Sequence, residues 1–165
     1  MLYHNVSDII VALLLLGVAN GTPLLAHRLL GARFAAPLDG GLRLSDGRDL
    51  FGPGKTIRGV VLSVVATALV APLFGLGVGT GLLFGALTMA GDLSSSFIKR
   101  RIGIPSGGRA LGLDQMPESV FPLLGCKAAL GLDLTSVAIL ALIFLVLALA
   151  ISRLLYRLGI RARPY

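Results

Sequence analysis

Apolar residues run in long blocks along this chain, and charges collect between the blocks. Eighteen residues free of Asp, Glu, Lys and Arg separate Asp8 from His27 and Arg28. They predict a first membrane span near residues 9–30. Asn20-Gly21-Thr22-Pro23 interrupts it, so its second half is expected to be kinked or re-entrant. The residues ahead of it lack the basic stretch of a secretory signal peptide. Arg58 and Asp92 then bracket 33 uncharged residues. One straight helix of that length would run about 50 Å, against a hydrocarbon layer of about 30 Å. A hairpin of two spans fits, near residues 57–74 and 78–98, with the glycine-rich stretch 72–81 as its turn. A fourth span is expected near residues 116–132, although it carries Pro117, Glu118, Pro122 and Lys127. A fifth, residues 137–151, is apolar throughout.

Two polar segments, 31–55 and 99–113, separate these blocks. Both are rich in Gly and Arg and read as loops, with a short β-hairpin left open for the first. With five spans, both loops and the C-terminal tail share one side. That side then holds fourteen of the fifteen basic residues, including Arg161 and Arg163, with only Lys127 elsewhere. The positive-inside bias places that side in the cytoplasm and the N-terminus outside, as in a multi-pass plasma-membrane protein. The expected fold is one all-α integral membrane domain over residues 1–165, with five transmembrane helices and two polar cytoplasmic loops.

Composition narrows the class. Hydrophobic residues make up 55% of the 165-residue chain, charged residues 14%, and the mean hydropathy is +0.88. Soluble domains carry about 25% charged residues, so a soluble enzyme, a disordered chain and a disulfide scaffold are excluded. The net charge of +7 points to anionic headgroups of a bilayer. Nucleic acid is not expected as a partner, because no soluble basic face exists to meet it. The single Cys126 rules out an intramolecular disulfide.

A structural membrane protein needs few charges, yet these loops carry both signs. On a helix, Asp92, Ser95, Ser96 and Lys99 share one face. Such a face could hold a divalent ion beside a phosphate chain; equally, Asp92 could be the counter-ion of a snorkelling Lys99-Arg100-Arg101 belt. Gly54-Lys55-Thr56 has the end of a phosphate-binding loop, but position 49 is Asp where that loop needs Gly. What remains is a glycine loop opening a helix, with Lys55 and Arg58 one turn apart: an anion site, or a helix start with anchoring cations. Asp114 suits a second metal ligand opposite Asp92, or a helix N-cap. Asn20 suits hydrogen bonding to a headgroup or nucleotide, or simply marks a kink. His4 and His27 have no metal-ligand spacing, and Lys127 reads as a snorkelling residue.

These segments, in this order, resemble the CDP-archaeol synthase family. The shared pattern runs through Ala19-Asn20-Gly21, Pro37-Leu38-Asp39-Gly40-Gly41, Asp46-Gly47-Arg48, Phe51-Gly52, Gly54-Lys55-Thr56 and Arg58-Gly59. It continues through Gly91-Asp92, Ser96-Phe97-Ile98-Lys99-Arg100-Arg101-Ile102-Gly103, Leu113-Asp114-Gln115 and the terminal Arg163-Pro164-Tyr165. The Ser…Lys-Arg…Asp order is also similar to the larger CDP-diacylglycerol synthases. Where the family reads Leu-Asp-Gln-x-Asp, this chain has Pro117 in place of the second Asp; either Glu118 beside it substitutes, or that metal or lipid contact is lost.

The resemblance implies a CTP:lipid-phosphate cytidylyltransferase, with CTP and an anionic glycerophospholipid (archaetidic or phosphatidic acid) as substrates. It implies Mg²⁺ held by Asp92 and Asp114, with Lys99 completing the catalytic set. Lys55, Thr56 and Arg58 would bind nucleotide phosphates. Ser96, Arg100 and Arg101 would meet a lipid phosphate or the triphosphate. Asn20, Asp46 and Arg48 would recognise the nucleotide. A homodimer is compatible with the sequence and not required by it, and ether- and ester-linked lipids are not separated. A CDP-alcohol phosphatidyltransferase would need an Asp-Gly-x-x-Ala-Arg element, which Asp46-Gly47-Arg48 does not continue. A non-catalytic transporter or binder of anionic headgroups would place broken helices at mid-bilayer; here the polar residues gather at one surface.

Overall fold

The structure is a computed structural model that describes residues 6–159. His4, Arg161 and the terminal Arg163-Pro164-Tyr165 lie outside the described residues. The elements are α1 (Val6–Leu30), α2 (Ile57–Val70) continued by a 3-10 turn (Ala71–Phe74), α3 (Val78–Arg101), α4 (Met116–Gly125) and α5 (Leu134–Arg157). Four helices are long and apolar enough to cross a membrane: Ser7–Leu30, Ile57–Phe74, Val78–Arg101 and Leu134–Arg157.

The expected fourth span is therefore not a full one. Its helix stops at Gly125 after ten residues, about 15 Å of rise against a layer of about 30 Å. Pro117 opens it and Pro122 lies inside it, and the chain leaves it through turns to Gly131, which adopts φ 63°. α4 nevertheless runs antiparallel to α3. It starts where a Cβ on Gly91 would overlap the backbone of Pro117 and Glu118. It ends where Cys126 Sγ lies 3.9 Å from the Thr80 carbonyl oxygen. The half-length that α4 does not cover is flanked by the loop after α3, since Lys99 reaches both Gly108 and Asp114 of that loop.

The first helix is continuous where an interruption is expected. Proline at 23 has no N–H to give the carbonyl of Ala19, one turn earlier. Ser63 of α2 supplies the donor instead, its hydroxyl donating to that oxygen at 2.7 Å in a buried contact. Asn20 and Thr22 turn back on their own helix, donating to Leu16 O at 3.0 Å and Val18 O at 2.6 Å. The hairpin of α2 and α3 forms as its glycines predict. A Cβ on Gly81 would come within 2.7 Å of Ala68 and Ala71, so the two backbones meet at that point.

The first polar loop has no strand among the described residues, only two isolated antiparallel bridges, Pro37 with Thr56 and Arg43 with Asp49. Asp39 organises it. One carboxylate oxygen accepts from the backbone N–H groups of Phe51 at 2.9 Å and Gly52 at 3.0 Å, and the other from Gly41 at 3.0 Å. Burial pushes this carboxyl up, but the three N–H donors outweigh it and hold the group below its ordinary value.

Buried Leu15, Leu16, Phe84, Leu123, Leu140 and Phe144 form the core between helices. Leu29, Leu69, Leu73, Val146 and Leu154 face outward, as a bilayer-embedded surface requires. The ends of α1 and α3 and the start of α2 meet at one pole, where Arg58 donates to the carbonyls of Gly31 and Arg33. The start of α1 and the turn before α5 meet at the other, where a Cβ on Gly131 would lie 3.8 Å from the Asp8 carboxylate. Both polar loops thus share one pole, as the charge pattern predicts.

Candidate active site

Thr56 is the N-cap of α2, its hydroxyl accepting from Gly59 N–H at 3.1 Å. That cap fixes the preceding residue, Lys55, against the middle of α3. Lys55 Nζ donates to both oxygens of Asp92 at 2.6 Å. Two turns along the same face of α3, Lys99 Nζ lies 2.5 Å from Asp114 Oδ1 and donates to Gly108 O at 3.3 Å. Asp114 is set by its own loop, accepting from Ala110 N–H at 2.9 Å. All four side chains are mostly buried, the least so being Lys55 at 27% exposed.

Glu118, one turn into α4 from Asp114, is the fifth member. It sits within electrostatic range of Asp92, Lys55, Asp114 and Lys99. Three carboxyl groups thus face two lysines. Among the described residues no three His, Cys, Asp or Glu side chains stand close enough to hold an ion by themselves. Ser95 and Ser96 are buried beside this face, with the Ser95 hydroxyl donating to Gly91 O at 3.0 Å.

The remaining basic residues hold the scaffold. Arg48 Nη1 donates to the carbonyls of Arg100 and Arg101, closing the end of α3. Arg101 answers, with Nη1 donating to both Asp46 oxygens at 2.7 Å and Nη2 to Asp49 O at 2.5 Å. The Asp46 carboxyl lies below its ordinary value chiefly through the Arg48 N–H, with Arg101 adding to the effect. Asp46, Arg48 and Arg101 are therefore a clasp between the first loop and α3. Arg58 fastens the chain after α1, and Asn20 is engaged with its own helix. Arg100 is 5% exposed and donates to Pro105 O at 2.9 Å, while its Nε and Nη1 find no acceptor among the described residues.

Of the residues singled out in the sequence, the structure gathers Lys55, Asp92, Lys99 and Asp114 at one place. It sets Asn20, Thr56 and Arg58 in helix and loop contacts. In the sequence Glu118 stood beside Pro117 as the acid that could substitute for the family's second Asp. Its signal was a lone acid in an otherwise uncharged helix, which is costly unless it serves a site.

A sequence model described as CarS-like, CDP-archaeol synthase, matches residues 74–165. The CDP-archaeol synthase of Aeropyrum pernix is 37% identical over 171 residues, covering 98% of this chain and 93% of that protein. This chain belongs to the CDP-archaeol synthase family. The CDP-archaeol synthase of Methanopyrus kandleri is 49% identical over 86 residues, 48% of this chain and 50% of that protein. A solved structure of an intramembrane enzyme for archaeal membrane lipids biosynthesis superposes with a TM-score of 0.71 at 34% identity, covering 86% of this chain and 90% of that one. The CDP-archaeol synthase match from residue 74 onward takes in Asp92, Lys99, Asp114 and Glu118. The Aeropyrum alignment extends the likeness across the Lys55 loop.

Proposed function

We propose that this chain is a membrane cytidylyltransferase that transfers CMP from CTP to the phosphate of a glycerol-based lipid, releasing pyrophosphate. The observation that carries this reading is the pair of ion pairs, Lys55–Asp92 and Lys99–Asp114, around Glu118 at the polar pole of an apolar bundle. Support also comes from the names of the relatives, CDP-archaeol synthases.

The chemistry suits such a site. The lipid phosphate oxygen attacks the α-phosphorus of CTP, a new P–O bond forms, and the bond to pyrophosphate breaks. Little covalent help is needed; alignment and neutralisation of charge dominate. Lys55 and Lys99, released from their carboxylates when the triphosphate enters, donate to its oxygens. Asp92 and Asp114, with Glu118 beside them, are the residues that would hold Mg²⁺. When bound, the ion neutralises charge developing on the leaving phosphates. Thr56 contributes by capping the start of α2, which fixes the position of Lys55 beside it. The polar pole is assigned to the cytoplasmic face of the plasma membrane, where CTP is available and the basic loops accord with the positive-inside bias.

The test is direct. Purified protein with labelled CTP, Mg²⁺ and archaetidic or phosphatidic acid should give a CDP-lipid and pyrophosphate. Asp92→Asn and Asp114→Asn should each abolish both products while the protein stays folded. Wild-type turnover by either variant would remove the proposed ion site. Comparing the two lipids decides between ether and ester substrates.

A further inference from the structure

Lys55 and Lys99 come from different segments, yet short backbone links tie both to one side chain. The Lys55 N–H donates to Gly52 O at 3.1 Å. Lys99 Nζ donates to Gly108 O at 3.3 Å, and the Gly108 N–H donates to Pro105 O at 2.8 Å. Arg100 joins these two arms. Its Nη2 donates to the same Pro105 oxygen at 2.9 Å. Its Nη1 lies against Gly52, where a Cβ would stand 3.4 Å from that nitrogen and 3.1 Å from Ser106 Oγ. Gly52 is buried at φ 94°, a conformation that suits glycine and lets the first loop close onto Arg100 and Ser106. At about 100° per residue, Arg100 stands beside the face of Asp92, Ser96 and Lys99, not on it.

We propose that Arg100 is a positioning residue. It locks the Gly52–Lys55 turn to the Pro105–Gly108 turn and so sets the spacing of the two lysines, without touching either substrate. The proposal rests on the cytidylyltransferase reading, and it replaces the phosphate contact that the family resemblance implies for this residue. Three observations argue for it. Arg100 is 5% exposed, and the two guanidinium nitrogens that lack an acceptor among the described residues are themselves sealed from solvent. A phosphate oxygen therefore has no approach to them. The acids within electrostatic range of Arg100 are Asp49 and Asp114, one from the first polar loop and one at the end of the second, so its charge draws both inward. A buried cation with unmade hydrogen bonds also costs stability, and an apolar side chain of similar length would serve the fold as well. What the arginine adds is the fixed distance between two loops, and in phosphoryl transfer alignment carries much of the rate.

The test compares full-length wild type with Arg100→Met in nanodiscs. Hydrogen exchange without substrate should rise at both turns together, residues 52–55 and 105–108, while the unfolding midpoint changes little. Turnover with CTP, Mg²⁺ and lipid phosphate should show kcat lower by about tenfold to a hundredfold, with KM for the lipid nearly unchanged. Gly52→Ala keeps Arg100 and pushes the first loop off it, so it should give the same two signatures and stands in should Arg100→Met not fold. A crosslink then separates positioning from contact. A Cβ on Gly54 would lie 3.5 Å from Ser106 Oγ, within disulfide reach, and native Cys126 is buried against Thr80 at the far end of α3. Gly54→Cys with Ser106→Cys, oxidised, should restore much of the kcat lost in Arg100→Met, and reduction should remove the gain. Three results overturn the proposal: undisturbed exchange and kcat in the folded variants, a raised KM for the lipid with kcat preserved, or an oxidised pair that restores nothing. Loss of turnover on oxidation with Arg100 intact also overturns it, since the loops would then have to part during the reaction. Wild type that makes no CDP-lipid sinks the cytidylyltransferase reading, while the exchange result still decides whether Arg100 joins the two turns.

Discussion

The hydroxyl of Ser63 donates at 2.7 Å to the carbonyl of Ala19, the oxygen that Pro23 leaves without its helical partner. One side chain on α2 thus lets α1 pass through a proline as a continuous helix. Both residues are fully buried, so removal of the donor leaves an unsatisfied carbonyl in an apolar setting. Ser63→Ala should lower stability by about 1–3 kcal/mol, read as a fall in the midpoint of thermal unfolding in detergent. Ser63→Thr, which keeps the hydroxyl, should recover stability where its extra methyl is accommodated. An unchanged midpoint in Ser63→Ala would mean that the proline needs no substitute donor.

Lys55 and Asp92 form a reciprocal pair, and the two changes should not be equivalent. Lys55→Met leaves the Asp92 carboxylate facing Glu118 with less compensation, so it should destabilise the fold as well as stop turnover. Asp92→Asn leaves Lys55 with a neutral partner and removes a proposed ion ligand. Its loss of turnover should resist added Mg²⁺. The exchange Lys55→Asp with Asp92→Lys should restore much of the thermal stability and none of the activity. Recovery of activity in the exchanged protein would show that the pair acts only as a brace.

How far the sequence carried depended on the kind of interaction. Charge segregation placed both polar loops at one pole, and the glycine-rich stretch 72–81 announced the α2–α3 hairpin, because these depend on composition along the chain. The continuity of α1 through Pro23 was not legible because the compensating donor, Ser63, lies 44 residues from Ala19. The short α4 failed differently. Its apolar content resembled a span, but Pro117, Pro122 and Gly125 limit the helix to ten residues. In the site, the acids and lysines could be named as types, yet no spacing revealed that Lys55 pairs with Asp92 and Lys99 with Asp114. Arg48, Arg58 and Arg101 looked like phosphate binders for the same reason: a guanidinium meets a carbonyl as readily as a phosphate, and only the fold decides which is near.

The Asp39 carboxylate ties Gly41, Phe51 and Gly52 into one loop, and its three N–H donors hold it below the model-compound value of 3.8. A carboxyl depressed in the folded state contributes stability that is fully present above its unfolded value and is lost as pH falls through the folded one. The loop should therefore keep its order at neutral pH and begin to open only below pH 3.8. Hydrogen exchange or limited proteolysis of residues 38–53 across an acid series would show it. Asp39→Asn should open the loop at neutral pH and flatten that dependence. A transition of the wild-type loop centred well above 4 would assign it to another group.

Gly91 offers the sharpest separation of folding from function. Its missing side chain lets the start of α4 lie against α3, where a Cβ would fall 2.7 Å from the backbone nitrogen of Glu118. Backbone cannot yield as a flexible side chain would, so Gly91→Ala must move the start of α4 away from α3. Overpacking of this kind costs about 1–3 kcal/mol, which a bundle joined elsewhere at Gly81 and in the Phe84–Leu123 core can survive. The same displacement carries Glu118 and, one turn earlier, Asp114 away from Asp92. The proposed ion site would be spread while every one of its side chains remained. The expected outcome is a folded protein with a modestly lower unfolding midpoint and a much larger loss of CDP-lipid formation. Ala at Gly79 of the same helix, where a Cβ would meet nothing within 4 Å, should do neither. Equal losses of stability and activity in Gly91→Ala would indicate general damage instead of a displaced site.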